Sequence, residues 1–186
     1  KEYVVLHAPN HRNIKGTEIY TKAVEKLKQK GYPVRLNMIE RMPNEEILKA
    51  IETCYVVADQ LVIGWYAYFS IEAMARGKPC ICYQRQDFLD FYEQVGVIEK
   101  GEVPLINCNH TIDSVANAIE KLIVDKDYYK NVRKEYSIYP DFVYNPGRKK
   151  VLIHFLNMDR IYKTDYFYNK FELQARCNLR MEIELY

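Results

Sequence analysis

The chain has 186 residues, of which 48% are hydrophobic and 28% charged, and its formal net charge is +2. These values favour one soluble domain with a packed core. The nearly balanced charge gives no bulk electrostatic reason to expect nucleic acid or an anionic membrane as a partner. No apolar run approaches the roughly 18 residues that a membrane span needs, so we expect no membrane span.

The cysteines are five in number and include no Cys-x-x-Cys pair. The histidines have no metal-ligand spacing to them, so we expect neither a metal site nor a disulfide. Reduced cysteines are typical of a cytoplasmic protein, which is the location we predict. The five cysteines are Cys54, Cys80, Cys82, Cys108 and Cys177.

The N-terminal end carries no secretory signal pattern. It starts at Lys1 without Met, and a predicted strand at residues 3–7 follows almost at once. We therefore interpret the chain as a piece of a longer protein.

Short apolar runs alternate with helical patterns as far as residue 125. After the first strand, the apolar periodicity predicts a helix over 17–30, a strand over 34–39 and a helix that Asn44 caps. A strand within 55–63, a helix over 70–76 and a strand over 79–83 come next. A looser segment at 88–97, a strand over 103–107 and a helix capped by Thr111 complete the series.

This alternation predicts βαβ units. The expected fold class is therefore α/β, with a Rossmann-like parallel sheet and helices on both faces. Residues 128–136 and 148–162 have a helical pattern. Eight apolar residues then alternate with polar ones between 171 and 185, which predicts a C-terminal tail with a β-strand pattern.

Two segments fall where strands of the predicted sheet end, which is where open α/β sheets bind ligands. In the first, Arg12 and Lys15 precede a helix start, a combination suited to a diphosphate. Two solvated loop cations are the alternative. In the second, Glu72 follows a strand in the first turn of the predicted helix, where it could accept hydrogen bonds from a sugar. The alternative for Glu72 is a surface acid stabilised by the helix dipole.

The run HAPNHRNIKGT, followed by IERMPNEEILKAIETCYVVADQLVIGWYAYFSIEAMARGKP, resembles group 1 glycosyltransferases, the retaining family 4 with GT-B architecture. The resemblance covers roughly residues 3–160 and implies a GT-B C-terminal domain. It divides the chain into a Rossmann-like nucleotide-sugar-binding domain at 1–162 and a tail at 163–186.

The resemblance also implies site residues. Arg12 and Lys15 would bind the donor diphosphate, and Glu72 the ribose hydroxyls. The loop that includes Ser70 and Ile71 would bring backbone N–H groups to the phosphates and sugar. The segment from Ile39 to Met42 would flank the nucleotide base.

The sequence departs from the family pattern at one position. A second acid that faces the donor sugar usually lies eight residues before Glu72, and Gly64 occupies that position here. No catalytic residue is therefore assigned. Gln60, from the Asp59-Gln60 pair, is the substitute candidate.

The resemblance implies a retaining hexosyltransferase of two domains, for which this chain binds the nucleotide-diphosphate sugar as substrate without a cofactor. The missing N-terminal domain would bind the acceptor, so the chain alone should be inactive. One alternative is a stand-alone nucleotide-sugar-binding or assembly module that forms homo-oligomers through the tail. A weaker alternative is a nucleotide-sugar epimerase. Peripheral membrane association of the parent enzyme is compatible with the sequence, whereas nucleic acid is not an expected partner.

Overall fold

The computed structural model describes residues 2–94, 103 and 105–137. The described residues form a five-stranded sheet in the order β2-β1-β3-β4-β5, in which every neighbouring pair is parallel. The strands are β1 (Tyr3–His7), β2 (Val34–Met38), β3 (Val56–Ala58), β4 (Cys80–Cys82) and β5 (Ile106–Asn107).

The described helices fall between these strands and after the last one. They are α1 (Arg12–Lys15), α2 (Thr17–Gln29), α3 (Asn44–Thr53), α4 (Tyr68–Ala75), α5 (Gln86–Gln94), α6 (Ile112–Val124) and α7 (Lys126–Ser137). In the described ranges no helix has the length and apolar character of a membrane span.

The helices cover both faces of the sheet. Helix α2 packs against α6 on one face, while α4 contacts α3 and α7 on the other. The middle strands β3 and β4 are therefore buried at every residue, as expected for a parallel sheet covered on both sides. The predicted α/β class with a Rossmann-like parallel sheet is confirmed.

The buried faces of the helices follow the apolar periodicity of the sequence. In α2 the buried stripe consists of Tyr20, Ala23, Val24 and Leu27, all at most 2% exposed. In α6 the predicted cap is present, because the Thr111 side chain accepts a hydrogen bond from the Ser114 N–H at 3.2 Å. These two helices form most of the core on their face of the sheet.

The structure differs from the predicted elements in several places. Asn44 does not cap α3: it is the first residue of that helix, and the N-cap position is Pro43 without a side-chain cap bond. The strand predicted over 103–107 is limited to Ile106–Asn107. The segment before Thr17 contains a short extra helix, α1, and residues 86–94 form helix α5 where we expected a looser segment. Helix α4 begins at Tyr68, two positions before the predicted start at residue 70. The predicted helix at 148–162 and the predicted strand tail lie outside the described residues.

Candidate functional site

The strand order creates a crevice between β1 and β3. The chain leaves β1 toward β2 on one side, whereas β3 is followed by β4 on the other side. Open α/β sheets bind their ligands at such a switch point, beyond the carboxyl ends of the two strands. The loops that follow β1, β2 and β3 carry Arg12, Lys15, Glu40 and Asp59, and helix α4 carries Glu72.

His7, the last residue of β1, ties the base of this crevice together. Its Nδ1 lies 2.8 Å from the Ala58 carbonyl oxygen, and its Nε2 lies 2.9 Å from the Thr17 hydroxyl. Burial is the main cause that lowers the pKa of His7, so the ring is neutral at pH 7. Nδ1–H then donates to Ala58 and Nε2 accepts from Thr17. The ring thus joins β1, β3 and the start of α2.

Gly16 allows the loop after β1 to touch the loop after β3. It ends α1 in the left-handed region at φ 72°. A Cβ atom at this position would lie 2.8 Å from the Leu61 Cβ. Only glycine combines this backbone conformation with so close an approach. The two loops predicted to bind phosphate are therefore in direct contact.

Lys15 is not a solvated loop cation. Its Nζ donates to Asp59 Oδ1 at 2.6 Å, and the side chains of Lys15 and Asp59 are only 9% and 0% exposed. The other carboxylate oxygen of Asp59 accepts from the Ala67 N–H at 3.1 Å and from the Ser70 hydroxyl at 2.5 Å. A buried ammonium thus lies at the crevice with a carboxylate as its counter-ion.

Arg12 lies at the surface. Its guanidinium makes a bidentate pair with Glu40, with Nε to Oε1 at 2.8 Å and Nη2 to Oε2 at 2.6 Å. The Arg12 side chain is 58% exposed. The hydrogen bond from Arg12 is the main cause that lowers the pKa of Glu40. The pair is exposed and therefore screened by salt, so an anionic ligand with two oxygens can compete with Glu40 for the Arg12 guanidinium.

The position of Glu72 differs from the prediction. Because α4 begins at Tyr68, Glu72 lies in the second turn, and no acidic residue occupies the first turn. Its Oε1 accepts from the Asn44 side-chain amide at 3.3 Å. The helix dipole acts mainly on the first turn, so it contributes less than expected here. Glu72 faces the start of α3, next to the loop that follows β2.

Asp59 is the reason for the early start of α4. Its carboxylate lies at the N-terminus of the helix and supplies the acceptor for Ala67 and Ser70, a contact that no local capping pattern indicates. The Ser70 and Ile71 N–H groups donate to the Ala67 carbonyl at 3.0 and 3.4 Å. These two N–H groups, which the resemblance assigns to the donor, are thus used within the helix. The N–H groups nearer the start of α4 are better placed for an anion.

The remaining predicted residues brace the site. The Gln60 amide donates to the Trp65 carbonyl oxygen and is buried, so it supports the loop after β3. The Ile39 N–H donates to the His7 carbonyl oxygen at 2.9 Å, and the Ile39 side chain packs on the core. The exposed apolar side chains near Ile39 are instead Met38 and Met42.

Gln84, just after β4, was not predicted. It is 4% exposed, and its side-chain nitrogen has no hydrogen-bond partner in the part of the chain that the structure describes. Its backbone N–H and carbonyl are both bound to the Asn107 amide. A buried donor without a partner is costly, so this nitrogen is a candidate ligand contact. The sequence feature that could have indicated Gln84 is its place as a polar residue soon after an apolar strand run.

Several large apolar side chains are exposed along the carboxyl edge of the sheet. They belong to the loops or strand ends after β1, β2 and β3, the same loops that carry the cations. They are Ile14, Met38, Met42, Val62 and Ile63, each between 39% and 53% exposed. The edge of the crevice is thus both cationic and apolar.

Comparison with known proteins identifies the fold. No family model matches the sequence, and no curated protein matches it. A solved structure that does match is that of the catalytic domain of cholesterol-alpha-glucosyltransferase from Helicobacter pylori. The sequence identity is 16% and the TM-score 0.50, over 75% of this chain and 98% of that one. The chain therefore has the same Rossmann-like fold as that domain.

Proposed function

We propose that this chain is the donor-binding domain of a glycosyltransferase and binds a nucleoside-diphosphate sugar at the β1/β3 crevice. The observation that carries the proposal is the Lys15–Asp59 pair. It holds a buried ammonium and the N–H of Ala67 on the two oxygens of one carboxylate, so that a fixed positive charge lies beside the N-terminus of α4.

In this proposal the two cations bind the diphosphate at different places. Lys15 is a fixed point charge inside the crevice, whereas Arg12 exchanges Glu40 for a phosphate at its outer edge. A guanidinium that already makes two parallel hydrogen bonds to a carboxylate presents the same geometry to phosphate oxygens. These side chains supply the positive charge, so the site calls for no metal cofactor.

Glu72 would accept hydrogen bonds from the ribose hydroxyls, and the Asn44 amide is the ligand's substitute in the present structure. The contact is 3.3 Å long, which is near the upper limit for a hydrogen bond. The base would lie against the segment after β2, where Met38 and Met42 expose apolar surface.

The acceptor would be bound by a second domain across the crevice. The exposed apolar residues along the same edge support a second wall, because such groups are usually covered in a working assembly. We propose retaining hexosyl transfer in the cytoplasm, with this chain alone inactive because it forms only one wall.

Calorimetric titration of the purified chain with UDP, GDP, ADP and their glucose derivatives tests the proposal. We expect one of the three nucleotides to bind with 1:1 stoichiometry, and no sugar to be transferred. If none of them binds, the donor-binding function is wrong. Sugar transfer by the chain alone would contradict the two-domain part of the proposal.

A further inference from the structure

Asp59 joins three elements through one buried side chain. One oxygen binds Lys15 at the end of α1. The other oxygen binds the N–H of Ala67, the residue before α4, and the hydroxyl of Ser70 within α4. Asp59 itself directly follows β3 and is fully buried. The carboxylate thus contacts both segments that the proposed function assigns to the diphosphate, but it has no exposed surface of its own.

The Lys15 ammonium has N–H donors beyond the one that binds Asp59. An ammonium carries three N–H donors, and Asp59 is the acceptor that the described residues supply. The Lys15 side chain is only 9% exposed, so water cannot fully solvate the other donors. A buried ammonium with unused N–H donors calls for further acceptors, and the phosphate oxygens of the proposed ligand are such acceptors.

We propose that Asp59 is a positioning residue of the diphosphate site, which holds Lys15 and the start of α4 toward the same anion without touching it. This inference rests on the proposed function. Lys15 keeps its bond to Asp59 when the anion binds and uses its remaining donors for the phosphate oxygens. The carboxylate therefore orients the ammonium, as a hydrogen-bond partner orients a metal-bound histidine.

The charge of Asp59 matters as much as its hydrogen bonds. A buried ammonium without a counter-ion tends to lose its proton, and a neutral amine binds phosphate poorly. Asp59→Asn keeps the size of the side chain and an oxygen for Ala67 and Ser70, but it removes the charge opposite Lys15. This substitution separates the effect on Lys15 from the effect on the start of α4.

The test is a double-mutant cycle with inorganic pyrophosphate as the probe, because pyrophosphate has no base or sugar. The four proteins are the wild type, Asp59→Asn, Lys15→Met and the double variant. We expect each single variant to bind pyrophosphate about ten-fold to a hundred-fold more weakly. The double variant should bind no more weakly than Lys15→Met, because Asp59 acts through Lys15 and its unpaired carboxylate in Lys15→Met only repels the anion. If Asp59 only supported the fold, Asp59→Asn would weaken binding by the same factor in the wild type and in Lys15→Met.

Two results would overturn the proposal. One is wild-type affinity of Asp59→Asn for pyrophosphate. The other is a double variant that binds more weakly than Lys15→Met by the same factor that separates Asp59→Asn from the wild type. Uncompensated burial of Lys15 could unfold Asp59→Asn, and the wild-type protein provides a second measurement. Pyrophosphate should shift the Lys15 side-chain ¹⁵N resonance. Binding without that ¹⁵N shift also overturns the proposal.

Failure of the proposed function gives a different result. If the wild-type chain binds neither pyrophosphate nor any nucleoside diphosphate, the diphosphate site itself is wrong, and its positioning residue with it. If the wild type binds and Asp59→Asn binds equally well, the site stands and only the role of Asp59 is wrong.

Discussion

The Arg85 side chain fills the space beside the α-carbon of Gly64. A Cβ atom on Gly64 would lie 3.0 Å from Arg85 Cβ and closer still to Arg85 Cγ and Cδ, and Gly64 has φ 85°. The Arg85 N–H also donates to the Gly64 carbonyl oxygen at 2.9 Å. The family resemblance places an acid at this position, and the structure gives the physical reason for its absence. Any side chain here would be strained in its backbone and would displace Arg85.

The first prediction concerns this contact. Gly64→Ala should lower the free energy of unfolding by the cost of a left-handed alanine, about 1–3 kcal/mol, plus a steric cost of about 1–3 kcal/mol. Gly31→Ala is the matched control, because Gly31 has φ 88° and a Cβ atom there would meet nothing within 4 Å. Chemical denaturation should show a greater loss for Gly64→Ala than for Gly31→Ala. Arg85→Ala in the same chain should reduce the difference, because it removes Cγ and Cδ but keeps Cβ. Equal losses for Gly64→Ala and Gly31→Ala in the presence of Arg85 would contradict the steric account.

The second prediction separates the two cations. Lys15→Ala should weaken binding of a nucleoside diphosphate at low and high salt alike, since the amine is buried. Arg12→Ala should have a smaller effect that fades with added salt, because Arg12 is exposed and paired with Glu40. Binding of the bare nucleoside should change little in either variant. Titrations at two salt concentrations measure this, and equal loss for nucleoside and diphosphate would mean that these residues only support the loop.

The third prediction concerns Glu72. If it holds the ribose, affinity for a nucleoside diphosphate should fall in the order wild type, Glu72→Gln, Glu72→Ala. The alanine variant should lose about ten-fold to a hundred-fold, the range for a hydrogen bond to a charged group. The fold should persist, because alanine is at least as good a helix former as glutamate.

Two controls accompany this measurement. A 2′,3′-dideoxynucleoside diphosphate should bind the wild type about as weakly as the normal nucleotide binds Glu72→Ala. Asn44→Ala removes a hydrogen bond to the Glu72 carboxylate and should leave the affinity equal or slightly higher. Wild-type affinity in Glu72→Ala would mean that Glu72 is a surface acid without a ligand.

The fourth prediction concerns Gln84. Gln84→Met has a similar volume and removes a buried donor that has no partner in the described ranges of the chain. Removal of that donor should raise the free energy of unfolding by about 1–3 kcal/mol. If the nitrogen serves the ligand, nucleotide-sugar binding should fall at the same time. Lower stability with unchanged binding would show that the amide has only a structural role.

The fifth prediction concerns the thiols. Burial raises the pKa of Cys54 to about 11 and that of Cys108 to about 12. At pH 8 the thiolate fraction of Cys54 is then about one part in a thousand, so both residues should resist alkylation in the native protein. Protein unfolded in urea provides the positive control in a mass-spectrometric peptide map. Rapid native labelling of Cys54 or Cys108 would contradict their buried positions.

The same pKa directions predict how stability depends on pH. The unfolded chain loses its thiol protons near pH 8.5, whereas Cys54 and Cys108 in the native protein keep theirs. Above that pH the native state binds more protons than the unfolded state, so the free energy of unfolding falls as pH rises.

The sequence alone determined the fold class. Alternating apolar runs and amphipathic helices reflect local geometry, since a buried parallel strand and a two-faced helix each impose a period on the chain. The helices at 17–30 and from Thr111 onward were predictable for this reason. The approach of Arg12, Lys15 and Glu72 to one edge of the sheet also followed, because parallel strands end on the same side.

Only the tertiary structure decided how these groups are partnered. Asp59 lies 44 positions from Lys15 and 11 from Ser70, and no local pattern indicates that one carboxylate binds both. Because that carboxylate accepts hydrogen bonds at its N-terminus, α4 starts at Tyr68 and Glu72 lies in the second turn. Gly64 and Arg85 likewise meet only because β3 and β4 are neighbours in the sheet. Hydrogen bonds and steric exclusion between residues distant in sequence depend on the packed arrangement of strands, whereas periodicity reports only what each segment does by itself.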